Sequence, residues 1–198
     1  MADPYKKLED ELKNYINQIK NAKNTEAKII HIFTTFIVKV FDVDISDIGY
    51  EDFVKSNIKQ VTGRMDVIFK DTILEFKKDL KLTRALDEAE AELLKYFQAA
   101  YEKEPKNKKL GIITDGINFK VYQPSFKNEK EIEKINLINE MDISTKSTDF
   151  VFNWFDSFFL STSKITPTSE HLKLMFGLNS PQYALVKQEL LELYSKVK

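Results

Sequence analysis

The chain has 198 residues, a formal net charge of −1 and no cysteine. This length suits one domain with a proper hydrophobic core, and the lack of cysteine excludes disulfides and thiolate metal sites and is typical of a reducing cytoplasm. The near-neutral charge excludes a globally basic protein, and with Arg64 and Arg84 as the only arginines extensive direct reading of DNA bases is not expected. The N-terminus is too charged for a signal peptide, and no apolar run is as long as a membrane span. We therefore expect a cytoplasmic globular protein.

Two amphipathic helices are predicted first, over residues 4–22 and from a cap at Asn24 or Thr25 to about Asp42. Glu26, in the first turn of the second helix, shares a face with apolar positions 30, 33 and 37, which points its side chain toward the predicted sheet. The alternative is that Glu26 only complements the helix dipole. Residues 42–52 are predicted to form a loop and 53–61 a weakly patterned strand.

The stretch Gly63–Lys78 alternates in the way that predicts a β-hairpin. One face carries the apolar residues Met65, Val67, Phe69, Leu74 and Phe76. The other face carries Arg64, Asp66, Ile68, Ile73, Glu75 and Lys77. With Lys70 and Asp71 as the turn, the register sets Asp66 opposite Glu75 and Arg64 opposite Lys77.

Two carboxylates directly opposite each other on a sheet repel and destabilise the strand pair. Solvent, a basic neighbour or a divalent cation must compensate for the repulsion between Asp66 and Glu75. The hairpin therefore has two interpretations, a solvated charged face or a metal-dependent hydrolytic site with Lys77 one pleat away.

The rest of the chain supplies further helices and strands. A helix is predicted over 83–103, with Gln98 and Tyr101 beside its apolar stripe, followed by a lysine-rich loop. Residues 110–122 form a predicted hairpin with its turn at Asp115-Gly116, and 132–141 an edge strand. A helix over 149–160 is apolar nearly all round and therefore buried. We expect an α/β domain over residues 1–165 and a helical extension over 166–198 that leads toward a possible further domain.

In this order of elements, Asp66 on one strand and Glu75-x-Lys77 on the next resemble the signature of the PD-(D/E)xK nuclease superfamily. The hairpin Ile113-Thr-Asp-Gly-Ile-Asn-Phe-Lys-Val-Tyr122 and the segment Pro167-Thr-Ser-Glu…Phe176-Gly177 are similar to the N-terminal nuclease domain, and its helical connector, of type IIG and type I-like restriction enzymes. The chain departs from the pattern at Met65, where the motif has proline. Gln98 and Tyr101 are also three positions apart rather than the usual four.

The resemblance implies a restriction-endonuclease-like fold, a central mixed sheet flanked by helices, and Mg²⁺- or Mn²⁺-dependent cleavage of double-stranded DNA. Asp66, Glu75 and the Phe76 carbonyl would hold the metal, joined by Glu26 directly or through water. Lys77, its pKa lowered by a metal-rich pocket, would orient or deprotonate the attacking water. Arg64, Gln98 and Tyr101 are expected to support the site or contact DNA phosphate.

The same resemblance implies methyltransferase and target-recognition domains beyond the C-terminus, and a homodimer for double-strand breaks. The alternative is an inactive module of the same fold that docks DNA or another protein.

Overall fold

The computed structural model describes residues 4–21, 25–41, 43, 48–50, 53–56, 61–64, 66–69, 72–103, 109–128 and 131–159. Its helices are α1 (Pro4–Asn21), α2 (Glu26–Phe41), α3 (Thr83–Lys103) and α4 (Thr148–Phe159), with a 3₁₀ turn at Ile143–Thr145. All four helices were predicted within two residues at each end. The N-cap of α2 is Thr25, whose hydroxyl oxygen accepts the Lys28 N–H.

Eight strands are described: β1 (Ile48–Tyr50), β2 (Phe53–Ser56), β3 (Val61–Arg64), β4 (Val67–Phe69), β5 (Thr72–Phe76), β6 (Leu110–Thr114), β7 (Asn118–Asn128) and β8 (Glu131–Asp142). Six of them form a mixed sheet in the order β1-β4-β5-β6-β7-β8, and β2 and β3 form a separate two-stranded sheet. Only the β5–β6 pair in the large sheet is parallel. Its connection runs through α3, because parallel neighbours need a long crossover. The predicted α/β class is confirmed.

The hairpin register is confirmed where it is described, since Phe69 pairs with Thr72 and Val67 with Leu74. The first predicted strand is nevertheless too long. Asp66 forms a bend before β4, and Arg64 belongs to β3, where it pairs with Phe53. The prediction that Arg64 lies opposite Lys77 is therefore wrong, because the chain leaves the large sheet at this bend.

Two other assignments around this hairpin need correction. The single strand predicted over 53–61 is replaced by β2 and β3, which pair antiparallel with each other. The loop predicted over 42–52 contains the short edge strand β1. Both stretches are short and mix apolar with polar residues, so their sequence gives little periodic signal to separate a strand from a loop.

The helices cover the two faces of the large sheet unequally, and each face has its own buried core. Side chains from α1, α2 and α4 pack with Val67, Leu74 and Phe76 on one face. Helix α3 packs with Ile73, Ile113 and Tyr122 on the other. Strand β5 is fully buried between these two layers. Its even and odd positions therefore look into different cores.

The hairpin β6–β7 was predicted correctly, but its connection is longer than a two-residue primed turn because Thr114 pairs with Phe119. Gly116 has φ +84°, a conformation that favours glycine. The Asp115 carboxylate accepts the N–H groups of Ile117 and Asn118, and the buried Tyr15 hydroxyl donates to the Gly116 carbonyl at 2.7 Å. Helix α1 is thereby fixed to the end of the sheet beside β5.

Strand β8 lies at the edge of the sheet, as predicted, and the aromatic face of α4 is buried against the first core. The predicted linker and helical extension over 166–198 lie outside the described residues. None of the described helices is both long enough and apolar enough to span a membrane.

Candidate functional site

The end of β5 places two charged side chains on the α3 side of the sheet. The ring of Phe76 packs into the other core, 5.4 Å from the ring of Phe33 between centroids. Because neighbouring residues of a strand point to opposite faces, Glu75 and Lys77 are directed toward α3. Glu75 is only 2% exposed, and the Lys77 N–H donates to the Thr114 carbonyl of β6 at 2.9 Å. Both residues are therefore held by the central pair of strands.

Asp66 reaches the same place from the bend before β4. Its Oδ2 accepts the backbone N–H of Phe76 at 2.8 Å. The bend ends the β4 ladder, so the Asp66 side chain provides a hydrogen-bond acceptor at a point where strand pairing stops. Asp66 thus lies beside Glu75, as the predicted register required, although it is not itself part of a strand.

The ammonium group of Lys77 bridges two acids. Its Nζ lies 2.6 Å from Oε1 of Glu75 and 2.6 Å from Oε2 of Glu92. Glu92 is the tenth residue of α3, in its third turn, and was not predicted from the sequence. The Lys77 side chain is 15% exposed, whereas that of Glu92 is 39% exposed. One cation is therefore shared between a buried acid on the sheet and a half-exposed acid on the helix.

The second oxygen of Glu75, unlike the first, does not contact Lys77. Oε2 is buried and accepts no hydrogen bond within the part of the chain that the structure describes. A buried carboxylate oxygen without a partner is unfavourable, since burial removes its hydration. A proton, a buried water molecule or a second cation would satisfy it.

Burial and neighbouring charges raise the pKa of both Glu75 and Asp66. Burial, followed by the charge of Asp66 and the neighbouring Glu92 carboxylate, raises the pKa of Glu75 to about 9 against the opposing effect of Lys77. Burial also raises the pKa of Asp66, and the charges of Glu26 and Glu92 add to this against the Phe76 N–H and Lys77. The charge of Asp66 thus disfavours ionisation of Glu75, as expected for two neighbouring acids.

Lys77 and Glu92 behave as an ion pair. Burial, the largest single effect, lowers the pKa of Lys77, but its hydrogen bonds to Glu75 and Glu92 and their charges raise it overall. Burial raises the pKa of Glu92, and the neighbouring Glu75 and Lys77 side chains outweigh it and lower that pKa. Glu75 and Glu92 together therefore keep Lys77 charged. The surrounding acids raise the pKa of Lys77, whereas a metal-rich pocket was expected to lower it.

Tyr96 stands one helical turn beyond Glu92 and completes this cluster. Burial, then the negative charges of Glu75, Glu92 and Asp66, raise its pKa well above the ordinary value. The phenol therefore stays protonated beside the acids. A sequence signal for both residues exists in retrospect, because Glu92 and Tyr96 flank the buried stripe of α3 that contains Leu93.

The remaining predicted site residues are placed as follows. Glu26 begins α2 with an exposed side chain, and its charge reaches Asp66. Gln98 is completely buried, accepts the Ile132 N–H at 2.9 Å and donates to Glu102 at 3.2 Å. Tyr101 packs on the ring of Phe126.

The structure thus brings Asp66, Glu75 and Lys77 together, with Glu26 in electrostatic range. Gln98 lies six residues beyond Glu92, about 9 Å along the helix axis, and both it and Tyr101 contact the β7–β8 hairpin. The support role predicted for Gln98 and Tyr101 stays a prediction. So does that of Arg64, whose side chain lies outside what the structure describes.

The donor set suits a hard cation. In the described ranges no three His, Asp or Glu side chains are grouped so as to hold a metal ion. Mg²⁺, however, is commonly held by one or two carboxylates together with water and substrate phosphates. Asp66 and the unpartnered oxygen of Glu75 offer that minimal set, to which the Phe76 carbonyl adds a backbone oxygen.

Comparison of the chain with protein-family models, with curated proteins and with solved structures finds no match in any of the three.

Proposed function

We propose that this protein is a metal-dependent endonuclease domain that hydrolyses DNA phosphodiester bonds, with Asp66, Glu75 and Lys77 at its active site. The observation that carries the proposal is the buried Glu75 oxygen that has no partner among the described residues and lies beside a second acid and a lysine. A divalent cation would satisfy that oxygen and remove the repulsion between the two acids.

The arrangement of the chain supports the same proposal. A restriction-endonuclease-like domain requires an acid beside one strand, Glu-x-Lys at the end of the next, and helices on both faces of a mixed sheet. Asp66 directly before β4, Glu75 and Lys77 at the end of β5, and the two helical layers fit this requirement. This finer description of the fold belongs to the proposal.

Asp66, Glu75 and the Phe76 carbonyl would hold Mg²⁺ or Mn²⁺, and Glu26 would join through a water molecule. When bound, such an ion supplies an activated water and stabilises the charge that builds on the scissile phosphate. The chain contributes the positions of its ligands. The Phe76 N–H fixes the Asp66 carboxylate, and the two cores fix the end of β5.

Lys77 acts in this proposal as a charged donor. Its ammonium, kept protonated by the acids around it, would hold the attacking water or a phosphate oxygen by charge-assisted hydrogen bonds. The phenol of Tyr96 is a second donor within the same cluster. The expected product carries a 5′-phosphate.

The test is nicking of supercoiled plasmid by the 198-residue chain with Mg²⁺ or Mn²⁺, compared with Asp66→Asn, Glu75→Gln and Lys77→Met. Glu88→Gln is the matched control, because Glu88 is an exposed acid of α3 paired with Arg84. The proposal requires loss of nicking in the three site variants alone. Equal nicking by all five proteins would overturn it.

One observation favours a second candidate, an inactive module of the same fold that docks DNA or another protein. Lys77 already occupies one oxygen of Glu75, which partly neutralises the site without a metal. This candidate predicts DNA retention in a gel shift that neither Mg²⁺ nor the Asp66→Asn change alters, with no nicking by any protein.

The wider assembly remains part of the proposal. One site cuts one strand at a time, so a double-strand break would require two copies of the chain or two successive events. Partner domains for methylation and target recognition would supply the sequence specificity that a chain with two arginines lacks. Strictly single-strand products from an intact parent enzyme would contradict the dimer.

A further inference from the structure

Lys77 donates to two carboxylates, and only one of them, that of Glu75, is also an expected metal ligand. Glu75 is buried and within range of the Asp66 charge, so any divalent cation held between these two acids must draw on this carboxylate. Glu92 lies on α3 with a side chain 39% exposed. The contact of Lys77 with Glu75 therefore competes with metal binding, whereas its contact with Glu92 does not.

We propose that Glu92 is a positioning residue that takes over the ammonium group of Lys77 when a divalent cation occupies Glu75. The inference rests on the proposed function, since it assumes a metal at Asp66 and Glu75. Nothing but a small side-chain movement is needed, because Nζ already lies 2.6 Å from both acceptors. Lys77 then stays at the site instead of being expelled by the cation.

The exchange has a clear electrostatic purpose. Without the metal, Lys77 partly offsets the charge of two neighbouring acids. With the metal, the same ammonium would lie beside a cation and be repelled, and Glu92 supplies the negative charge that retains it. Glu92 thus acts on metal binding through Lys77 and touches neither the metal nor the substrate.

The experiment is calorimetric titration of the full chain with Mn²⁺ alone. Glu92→Gln should weaken Mn²⁺ binding by about two- to fivefold, the value of a partly exposed ion pair. Lys77→Met should bind Mn²⁺ more tightly than the unchanged protein, because it removes a competitor for Glu75. Glu88→Gln, one helical turn away and bonded to Arg84, should bind Mn²⁺ as the unchanged protein does.

The deciding variant combines Glu92→Gln with Lys77→Met. If Glu92 acts through Lys77, the glutamine change has no effect once the lysine is gone. An equal loss in both backgrounds would mean that Glu92 acts on the metal directly, by ligation or by its charge, and would overturn the inference. So would an unchanged affinity in Glu92→Gln, or an equal loss in Glu88→Gln.

Thermal melting checks that each variant is folded before titration. The Glu92 side chain is partly exposed, so Glu92→Gln is expected to fold. If the unchanged protein binds no Mn²⁺, the metal site and this inference both fail. If it binds Mn²⁺ and the combined variant gives the wrong pattern, the inference alone fails and the proposed function stands.

Discussion

The Asp66 carboxylate accepts the Phe76 N–H at 2.8 Å, so an acid of the candidate site also holds the end of the central strand. Two different properties of one side chain are combined here. Its oxygen serves the backbone of β5, and its charge raises the pKa of Glu75. Substitutions that keep one property and remove the other separate structure from chemistry.

We predict that Asp66→Ala destabilises the fold more than Asp66→Asn does. Asparagine retains an oxygen that accepts the Phe76 N–H, whereas alanine leaves this backbone group without its partner, at a cost of about 1–2 kcal/mol. Urea denaturation of the two variants measures the difference in the free energy of unfolding. Both variants should lose Mn²⁺ binding, because both lose the charge. Equal stability of the two would show that the hydrogen bond contributes nothing.

We predict that Glu75→Gln makes the protein more stable at alkaline pH. The pKa of Glu75 is about 9 in the fold, against an ordinary value of 4.5. Below the ordinary value both states of the protein hold the proton. Between the two values only the folded state holds it, so the free energy of unfolding of the unchanged protein falls as pH rises, by at most about 1.4 kcal/mol per pH unit.

Glutamine has no such proton, so the stability gap between Glu75→Gln and the unchanged protein should widen from pH 5 to pH 9. Urea denaturation at these pH values measures it, with Glu88→Gln as the exposed control on α3. A gap that is independent of pH would mean that Glu75 ionises in the fold as it does in water. The variant should be inactive as a nuclease. The buried acid would then be a residue that lowers stability but is required for activity.

The sequence predicted the elements with strong periodicity and the register of the β4–β5 hairpin. Alternation around Lys70 and Asp71 was sufficient to place Asp66 beside Glu75, because a strand register has only two choices of face. It did not predict that the pairing of β4 with β5 stops short of Asp66, which lies in a bend. The hydrogen bond that permits this stop joins a side chain to a backbone group ten residues away, which no local pattern encodes.

The role of α3 was the least predictable part of the site. Gln98 was chosen from the resemblance, and the structure uses it to hold β8. Glu92 was not predicted, and an acid beside a helical stripe is usually solvated. Which turn of a helix faces a strand end depends on how closely the two pack, and that distance is a tertiary property.

We predict that Gln98→Ala lowers the free energy of unfolding by about 1–3 kcal/mol, since it leaves the buried Ile132 N–H without its acceptor. Urea denaturation measures the loss, and faster hydrogen exchange at the Ile132 amide should locate it at the start of β8. Unchanged stability combined with weaker Mn²⁺ binding would contradict this prediction and would mean that Gln98 supports the metal site.

Gly111 determines how closely α3 packs on the sheet. A Cβ at this position would lie 2.6 and 2.7 Å from the two Cδ atoms of Leu93 and 2.8 Å from Cζ of Phe97. Both side chains are fully buried, so they have little room to move. We predict that Gly111→Ala costs about 1–3 kcal/mol by overpacking, which urea denaturation measures.

Removing the opposing methyl groups should relieve this clash, so Gly111→Ala should cost less in a Leu93→Ala background than in the unchanged protein. An equal cost in both backgrounds would mean that the strand backbone, and not the contact with α3, disfavours alanine. Leu93 follows Glu92 directly in α3, so a helix pushed away from β6 also carries Glu92 away from Lys77. Gly111→Ala should therefore weaken Mn²⁺ binding in the same direction as Glu92→Gln, and adding Leu93→Ala, which relieves the clash, should restore part of that affinity.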